Sequence, residues 1–360
     1  MDTLHTTNST TVRSDIEEMA GEDLPPEGKA PPSPSAPPTA QASWLAAGWR
    51  MRLLRSGMRV LSRVAPEAAV RVFDRVWFSV PRTRPRPEAA AWLASGEPLG
   101  FRVHGRRVRA WAWGRGPSVL LLHGWGGHAG QMHALAEPLL ARGLRVVAFD
   151  APAHGASDPS RLGGRRVSMF EIADALRIVA ASCGPLAGLV AHSGGCTAAA
   201  LALRDGWAGP ERIAFIAPFA LPSDALAPFA QAIGASAQVR DRFRARVESG
   251  FARPWSDFDI PGLARLRATP PLLVVHDRDD REVPWRYGEA VAAAWPRSRR
   301  LDTRGLGHRR VLRDAGVVEQ VACFMAEGRA PAPAATPADA RGELDHVFVA
   351  CGQARRASAD

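Results

Sequence analysis

The sequence predicts an α/β fold, and three observations predict it. From about Leu99 to Gly328 short apolar runs alternate with helical stretches, the runs being bounded by Gly, Pro and Asp. Several of these runs end in loops rich in glycine or carboxylate, where open α/β sheets bind their ligands. With 46% apolar residues in 360, the chain can build a sizeable buried core. Such alternation gives a sheet covered by helices. The expected strands are Phe101 to His104, Val108 to Trp113, Ser118 to Leu122, Arg145 to Phe149, Ala187 to His192, Ile213 to Ile216, Pro271 to His276 and Arg299 to Leu301. The expected helices between them are Gly130 to Ala141, Ser168 to Ser182, Cys196 to Arg204, Arg286 to Trp295 and Val311 to Met325. No repeat of fixed period appears.

The flanks read differently. Leu24 to Pro38 is mostly Pro, Ala, Ser and Gly without apolar periodicity, so residues 1–42 are expected to be a disordered Pro-rich tail. Ala330 to Pro337 has the same character, and residues 329–360 are expected to form a flexible C-terminal tail. Residues 43–98 are expected to hold basic amphipathic helices. Leu54, Met58 and Leu61 share one face, Arg52, Arg55, Arg59 and Arg63 another, and Pro66 opens a second helix to about Ser79. Two readings stay open for this segment: its apolar side docks on the main domain, or residues 44–80 rest on an anionic membrane or an acidic partner.

Composition bounds the function. The formal charge of +10 is uneven, with −5 over residues 1–40, +11 over residues 41–115 and +4 over the rest. Lys29 is the only lysine and no nucleic-acid module is present, so nucleic-acid binding is not expected. Cys183, Cys196, Cys323 and Cys351 fit neither a disulfide framework nor a metal-ligand spacing. No window has the uninterrupted apolar length of a spanning helix, and the first thirty residues carry acids in place of a signal peptide's basic start and apolar centre. A cytoplasmic location is expected, with membrane association left to the basic helices.

Four motifs carry the chemistry. In GLVAHSGG, Gly188 to Gly195, an apolar strand ends on Ser193 before a small-residue helix, and a nucleophilic serine needs such a sharp turn with small neighbours two positions away on each side, here Ala191 and Gly195. In VLLLHGWGG, Val119 to Gly127, a strand empties into a loop whose backbone N–H groups can face a cavity, and two such donors stabilise a tetrahedral oxyanion. Trp125 and Gly194 are the expected donors. In LLVVHDRDDREVP, Leu272 to Pro284, a strand runs into carboxylates, of which Asp277, Asp279 and Asp280 all qualify by type to orient a histidine. In Gly305-Leu306-Gly307-His308 the glycines free the loop to bring an imidazole inward as general base.

In this order the motifs resemble those of the α/β-hydrolase family across residues 99–328. The resemblance implies a mostly parallel eight-stranded sheet flanked by helices. It implies HGWGG as the oxyanion loop, AHSGG as the nucleophile elbow with Ala191 in place of its first glycine, and GLGH as the histidine loop. The family pattern, with the acid three residues before Val-Pro, implies Asp280, with Asp279 as the fallback. FDAPAHGASD, Phe149 to Asp158, looks like another family loop with Ala153 in a glycine position, which gives Asp150 and His154 structural roles. His123 and His192 adjoin the expected site as loop-shaping or pocket-lining residues. A stretch at about residues 218–268 is too long for a plain connection and is expected to be a helical cap with an apolar side. The expectation is then a serine esterase working without metal or cofactor on a small ester or thioester with a hydrophobic group. The alternatives are an aminopeptidase- or lipase-like enzyme and a catalytically silent binding protein of the same fold.

Overall fold

The computed structural model describes residues 48–329 apart from 82, 185 and 264–268. The expected tail 1–42, and the expected tail 329–360 apart from Arg329, lie outside the described residues. The described residues begin with helices α1 (Trp49–Val64), α2 (Pro66–Trp77) and α3 (Pro87–Ser95), the last two opening on a proline whose missing N–H costs nothing in a first turn. Strand β1 (Glu97–Val103) then pairs antiparallel with β2 (Arg106–Trp113). The two-residue turn between them, His104-Gly105, has φ of 50° and 77°, the left-handed pair that matches strand twist.

There follow β3 (Ser118–Leu122), a 3₁₀ turn (Ala129–Leu135), α4 (Ala136–Leu140), β4 (Arg145–Phe149), α5 (Met169–Ala181), β5 (Leu186–His192), α6 (Gly194–Arg204) and β6 (Arg212–Ile216). Next come α7 (Pro222–Ile233), α8 (Ala237–Phe251), a 3₁₀ turn (Trp255–Phe258) and α9 (Ile260–Leu263), all between β6 and β7 (Leu272–Asp277). The described elements end with α10 (Arg286–Ala294), β8 (Ser298–Thr303), α11 (Gly307–Arg310), a 3₁₀ turn (Val311–Arg313) and α12 (Ala315–Ala326). The eight strands form one sheet in the order β1-β2-β4-β3-β5-β6-β7-β8. It is antiparallel from β1 through β4 and parallel from β4 to β8. Strands β3, β5 and β7 are buried along their whole length, which is why they read as apolar runs without alternation.

The structure departs from the sequence reading in three places. The helix expected over Gly130 to Ala141 is split, its first half being 3₁₀ and its second the short α4, because Pro138 lacks an N–H and fits only a first turn. The helix expected from Val311 starts later, at Ala315, where Asp314 caps it by accepting from the Val317 amide at 3.0 Å. Helix α3 was not expected, and β1 begins at Glu97 ahead of Phe101.

Topology positions the site. Strand β4 lies on one side of β3 and β5 on the other, so the loops leaving β3 and β5 diverge at their carboxyl ends and open a crevice between them. The β6–β7 insertion is packed through Leu226, Phe229, Ile233, Phe243, Trp255 and Phe258, all buried. Helix α2 joins that cluster. Phe73 lies 4.5 Å from Phe243 and 5.3 Å from Phe229 between ring centroids, and Trp77 lies 4.8 Å from Phe229 and 5.7 Å from Trp255. Helix α1 buries Met58 but turns Trp49, Leu53, Val60 and Val64 to solvent.

Candidate active site

Ser193 sits between β5 and α6 with φ 51° and ψ −120°, a conformation that an L residue holds only when its surroundings impose it. Its amide donates to the Ile216 carbonyl at 3.0 Å, and its carbonyl accepts from Cys196 and Phe219, so both sides of the turn are tied to neighbouring structure. Small neighbours are required by contact. A Cβ on Gly195 would meet the His123 carbonyl at 2.6 Å, and one on Gly124 would meet the Ser193 Cβ at 2.9 Å. Ala191 is fully buried in β5.

The loop after β3 is fixed by two histidines. The Gly126 amide donates to His154 Nε2 at 3.0 Å and the Ala151 amide to His123 Nε2 at 3.1 Å, so each ring carries its proton on Nδ1 and donates it to a carbonyl, of Pro152 and Gly124 respectively. The Trp125 indole donates to the Ser79 carbonyl at 3.1 Å. The Trp125 amide makes no hydrogen bond to another described residue, and a Cβ on Gly194 would lie 3.5 Å from its nitrogen. The two expected donor residues are thus adjacent at the start of α6. Asp150 completes the frame by accepting from the Ala129 and Ala156 amides, both at 2.7 Å, while Ala153 holds φ 63° where the family loop has glycine.

The three carboxylates at the end of β7 and just beyond it divide their work. Asp280 Oδ2 accepts from His308 Nδ1 at 2.8 Å, and its Oδ1 accepts from the Glu282 and Val283 amides at 2.8 and 2.9 Å. Its side chain is wholly buried. Burial alone would raise its pKa, but hydrogen bonds from His276, His308 and the Val283 amide outweigh it and hold the carboxyl well below the usual range. Asp279 is exposed and accepts from the Gly305 amide at 2.8 Å. Asp277 accepts from the Thr303 hydroxyl and the Leu306 amide. Those two acids hold the histidine loop, and Gly305 and Gly307, at φ 76° and 66°, let it turn inward.

His308 and Ser193 face the same cleft, together with Gly124, Trp125 and His192. His192 Nε2 donates to the His308 carbonyl at 3.0 Å, and the two rings lie 4.7 Å apart between centroids. His276 stands behind the acid, 3.4 Å from Asp280 Oδ2, in space left by Gly288, where a Cβ would meet its Nδ1 at 2.6 Å. None of the four sequence motifs assigns a role to His276. Its place at the end of an apolar strand, four residues before Asp280, was the available signal. Among the described residues no cluster of three or more His, Cys, Asp or Glu could hold a metal ion.

His123, His154 and His192 share one electrostatic property. Burial pushes their pKa values down to about 4, about 3 and about 3. An unfolded histidine titrates near 6.5, so below that pH the unfolded chain binds protons that the folded chain refuses. Each ring therefore contributes stability above about pH 6.5 that is lost as pH falls toward its folded value, by up to about 1.4 kcal/mol per pH unit. We expect the urea midpoint to fall between roughly pH 7.5 and pH 5.5. An unchanged midpoint over that interval would show that the rings are not held neutral.

A family profile described as alpha/beta hydrolase fold matches residues 117–254, and one described as TAP-like protein matches residues 252–337. A "Serine hydrolase-like protein" of Danio rerio is 36% identical over 89 residues, 25% of this chain and 27% of that protein, so the match spans about a quarter of that relative. Among solved structures, Est1E of Butyrivibrio proteoclasticus with bound ferulic acid is similar at a TM-score of 0.50 and 16% identity, covering 64% of this chain and 96% of that one. A bromoperoxidase of Bacillus anthracis gives 0.47 and 16%, covering 64% and 99%. The sheet, the order of the motifs and the family profiles agree: the chain belongs to the α/β-hydrolase fold family. Structural likeness at this identity carries the fold and not the chemistry.

Proposed function

We propose that the protein is a serine hydrolase that cleaves a carboxylic ester or thioester through an acyl-enzyme. The observation that carries this reading is the buried 2.8 Å hydrogen bond from His308 Nδ1 to Asp280, in a histidine that shares a cleft with Ser193 on its strained turn. That bond puts the His308 proton on Nδ1 and leaves Nε2 as an acceptor. In the proposed reaction Nε2 takes the Ser193 proton as Oγ attacks the carbonyl carbon, and Asp280 stabilises the imidazolium formed. The Trp125 and Gly194 amides receive the oxyanion. Collapse breaks the bond to the leaving group, which takes the proton from His308. Water, deprotonated by His308, then releases the acid and restores Ser193. The sequence needs no metal or cofactor.

A narrow apolar cavity beside the elbow supports a hydrophobic acyl group. Its walls include Trp77, Met169, Phe170, Phe219, Trp255 and the Trp125 side chain. Met169 Cε lies 3.3 Å from the position of a Cβ on Gly194, and the Phe219 amide donates to the Ser193 carbonyl, so the cavity adjoins the reacting serine. Trp77 and Phe78 bring α2 and its C-terminal end into that wall. A fluorophosphonate probe tests the reading: it is expected to label the native protein on Ser193 and to leave Ser193→Ala unlabelled. Labelling that persists in the variant would remove Ser193 as the nucleophile, and no labelling of native protein would favour a silent binder of the same fold.

No helix of the described residues is long and apolar enough to cross a membrane. We infer peripheral contact through α1. Trp49, Leu53, Val60 and Val64 recur at helical spacing on its solvent side, from 58% to 73% exposed, among the exposed Arg50, Arg52, Arg59 and Arg63. Replacing the four apolar residues by serine is expected to abolish co-sedimentation with vesicles containing anionic lipid. Equal pelleting of native and substituted protein would exclude this contact.

A further inference from the structure

Outside the apolar cavity, the cleft that holds Ser193 and His308 has a strongly basic mouth. Arg84 and Arg86 enter it from the loop between α2 and α3, Arg309 from α11 beside His308, and Arg313 from the 3₁₀ turn that follows. Two carboxylates share the cleft, and each has a partner: Glu282 pairs with Arg309 at 3.0 Å, and Glu88 lies 3.4 Å from His133. Arg84, Arg86 and Arg313 are exposed and have no carboxylate partner among the described residues. Three unmatched guanidinium groups therefore line one opening. Unlike Arg309, which Glu282 neutralises, these three keep their charge free in the cleft that holds Ser193.

The same wall also holds a buried polar atom without a partner. His128 is buried to 4% exposure and lines the cleft, yet its Nδ1 has no hydrogen-bond partner. That atom would lie 3.1 Å from a Cβ on Gly130, which also lines the cleft. A buried ring nitrogen without a partner is costly unless something polar completes it. The apolar cavity has no charged residue in its lining, so the site has two arms of opposite character, which share Trp125 beside Ser193.

We infer that the substrate is an ester or thioester whose leaving alcohol or thiol carries an anionic group, held at the cleft mouth by Arg84, Arg86 and Arg313. Guanidinium groups bind carboxylate and phosphate alike through paired N–H donors. The apolar arm takes the acyl part, and the charged arm steers and orients the part that departs. After the acyl-enzyme forms, the anionic alcohol or thiol leaves on the solvent side, which clears the path for the hydrolytic water.

This inference rests on the serine-hydrolase reading, and one set of measurements separates the two. The butyrate esters of 4-hydroxybenzoate and of 4-hydroxyphenyl phosphate are compared with the butyrate ester of the neutral 4-hydroxybenzamide, each rate being divided by that ester's alkaline hydrolysis rate. At low ionic strength kcat/KM is expected to favour the anionic esters by about tenfold, and the preference should collapse near roughly 0.5 M salt. The double variant Arg84→Gln/Arg313→Gln should bring the ratio of anionic to neutral turnover toward one. A larger gain for the phosphate or for the benzoate says which anion the mouth accepts, and either supports the inference. Equal kcat/KM for charged and neutral esters in a native protein whose Ser193 is labelled would overturn the anionic arm and leave the nucleophile standing. Failure of labelling overturns the underlying reading.

Discussion

Ser193→Ala is expected to lower kcat on the order of a millionfold with any ester the native protein turns over, while leaving the fold intact. Both halves follow from the geometry. The Ser193 Oγ makes no hydrogen bond to another described residue, so its removal orphans no partner, and alanine inherits the same φ of 51°. The thermal midpoint should therefore move little. What is lost is the atom that attacks. His308→Ala is expected to cost nearly as much, and the double variant no more than either alone, because the two side chains act in a single step. The residual rate should still exceed that in water, since the Trp125 and Gly194 amides are backbone groups that neither substitution touches. A Ser193→Ala protein retaining more than about one hundredth of the native kcat would sink the assignment.

The sheet was readable because β3, β5 and β7 are buried on both faces and so appear as unbroken apolar runs bounded by turn residues. The edges were harder. Strand β1 is largely exposed and begins four residues before the apolar stretch that marks it, and α3 is a short helix with little amphipathic contrast. At the candidate site, Ser193, His308 and the carboxylate cluster were visible as strand-end motifs in a fixed order. Their mutual geometry was not, because Asp277, Asp279 and Asp280 are equivalent by residue type until the histidine loop is folded against them. The sequence reading also treated residues 43–98 apart from the site. Phe73 and Trp77 pack into the β6–β7 insertion, and Trp77 reaches the cavity beside Gly194, a contact between positions more than a hundred residues apart that no local pattern encodes. His276 and the arginines of the cleft mouth escaped for the same reason.

The division of labour among the acids gives the second large effect. Asp280→Asn is expected to lower kcat by about ten-thousandfold, and Asp279→Asn by far less. An asparagine at 280 can keep the Glu282 and Val283 amides on its carbonyl oxygen, so the turn survives. Its NH2 then faces His308 Nδ1, where the native protein has an acceptor, and drives the ring's proton to Nε2. A ring protonated there cannot take the Ser193 proton. Asp279, by contrast, is exposed and only accepts from the Gly305 amide, which an asparagine oxygen can also do. Stability should separate the two as well. The Asp280 carboxyl is held below its unfolded value, so its contribution is complete above the ordinary carboxylate range and is lost as pH falls through the folded value. Asp280→Asn should accordingly be less stable than native protein at neutral pH, with the gap narrowing in acid. Equal loss of kcat in the two variants, or a greater loss at 279, would move the acid of the proposed triad off Asp280.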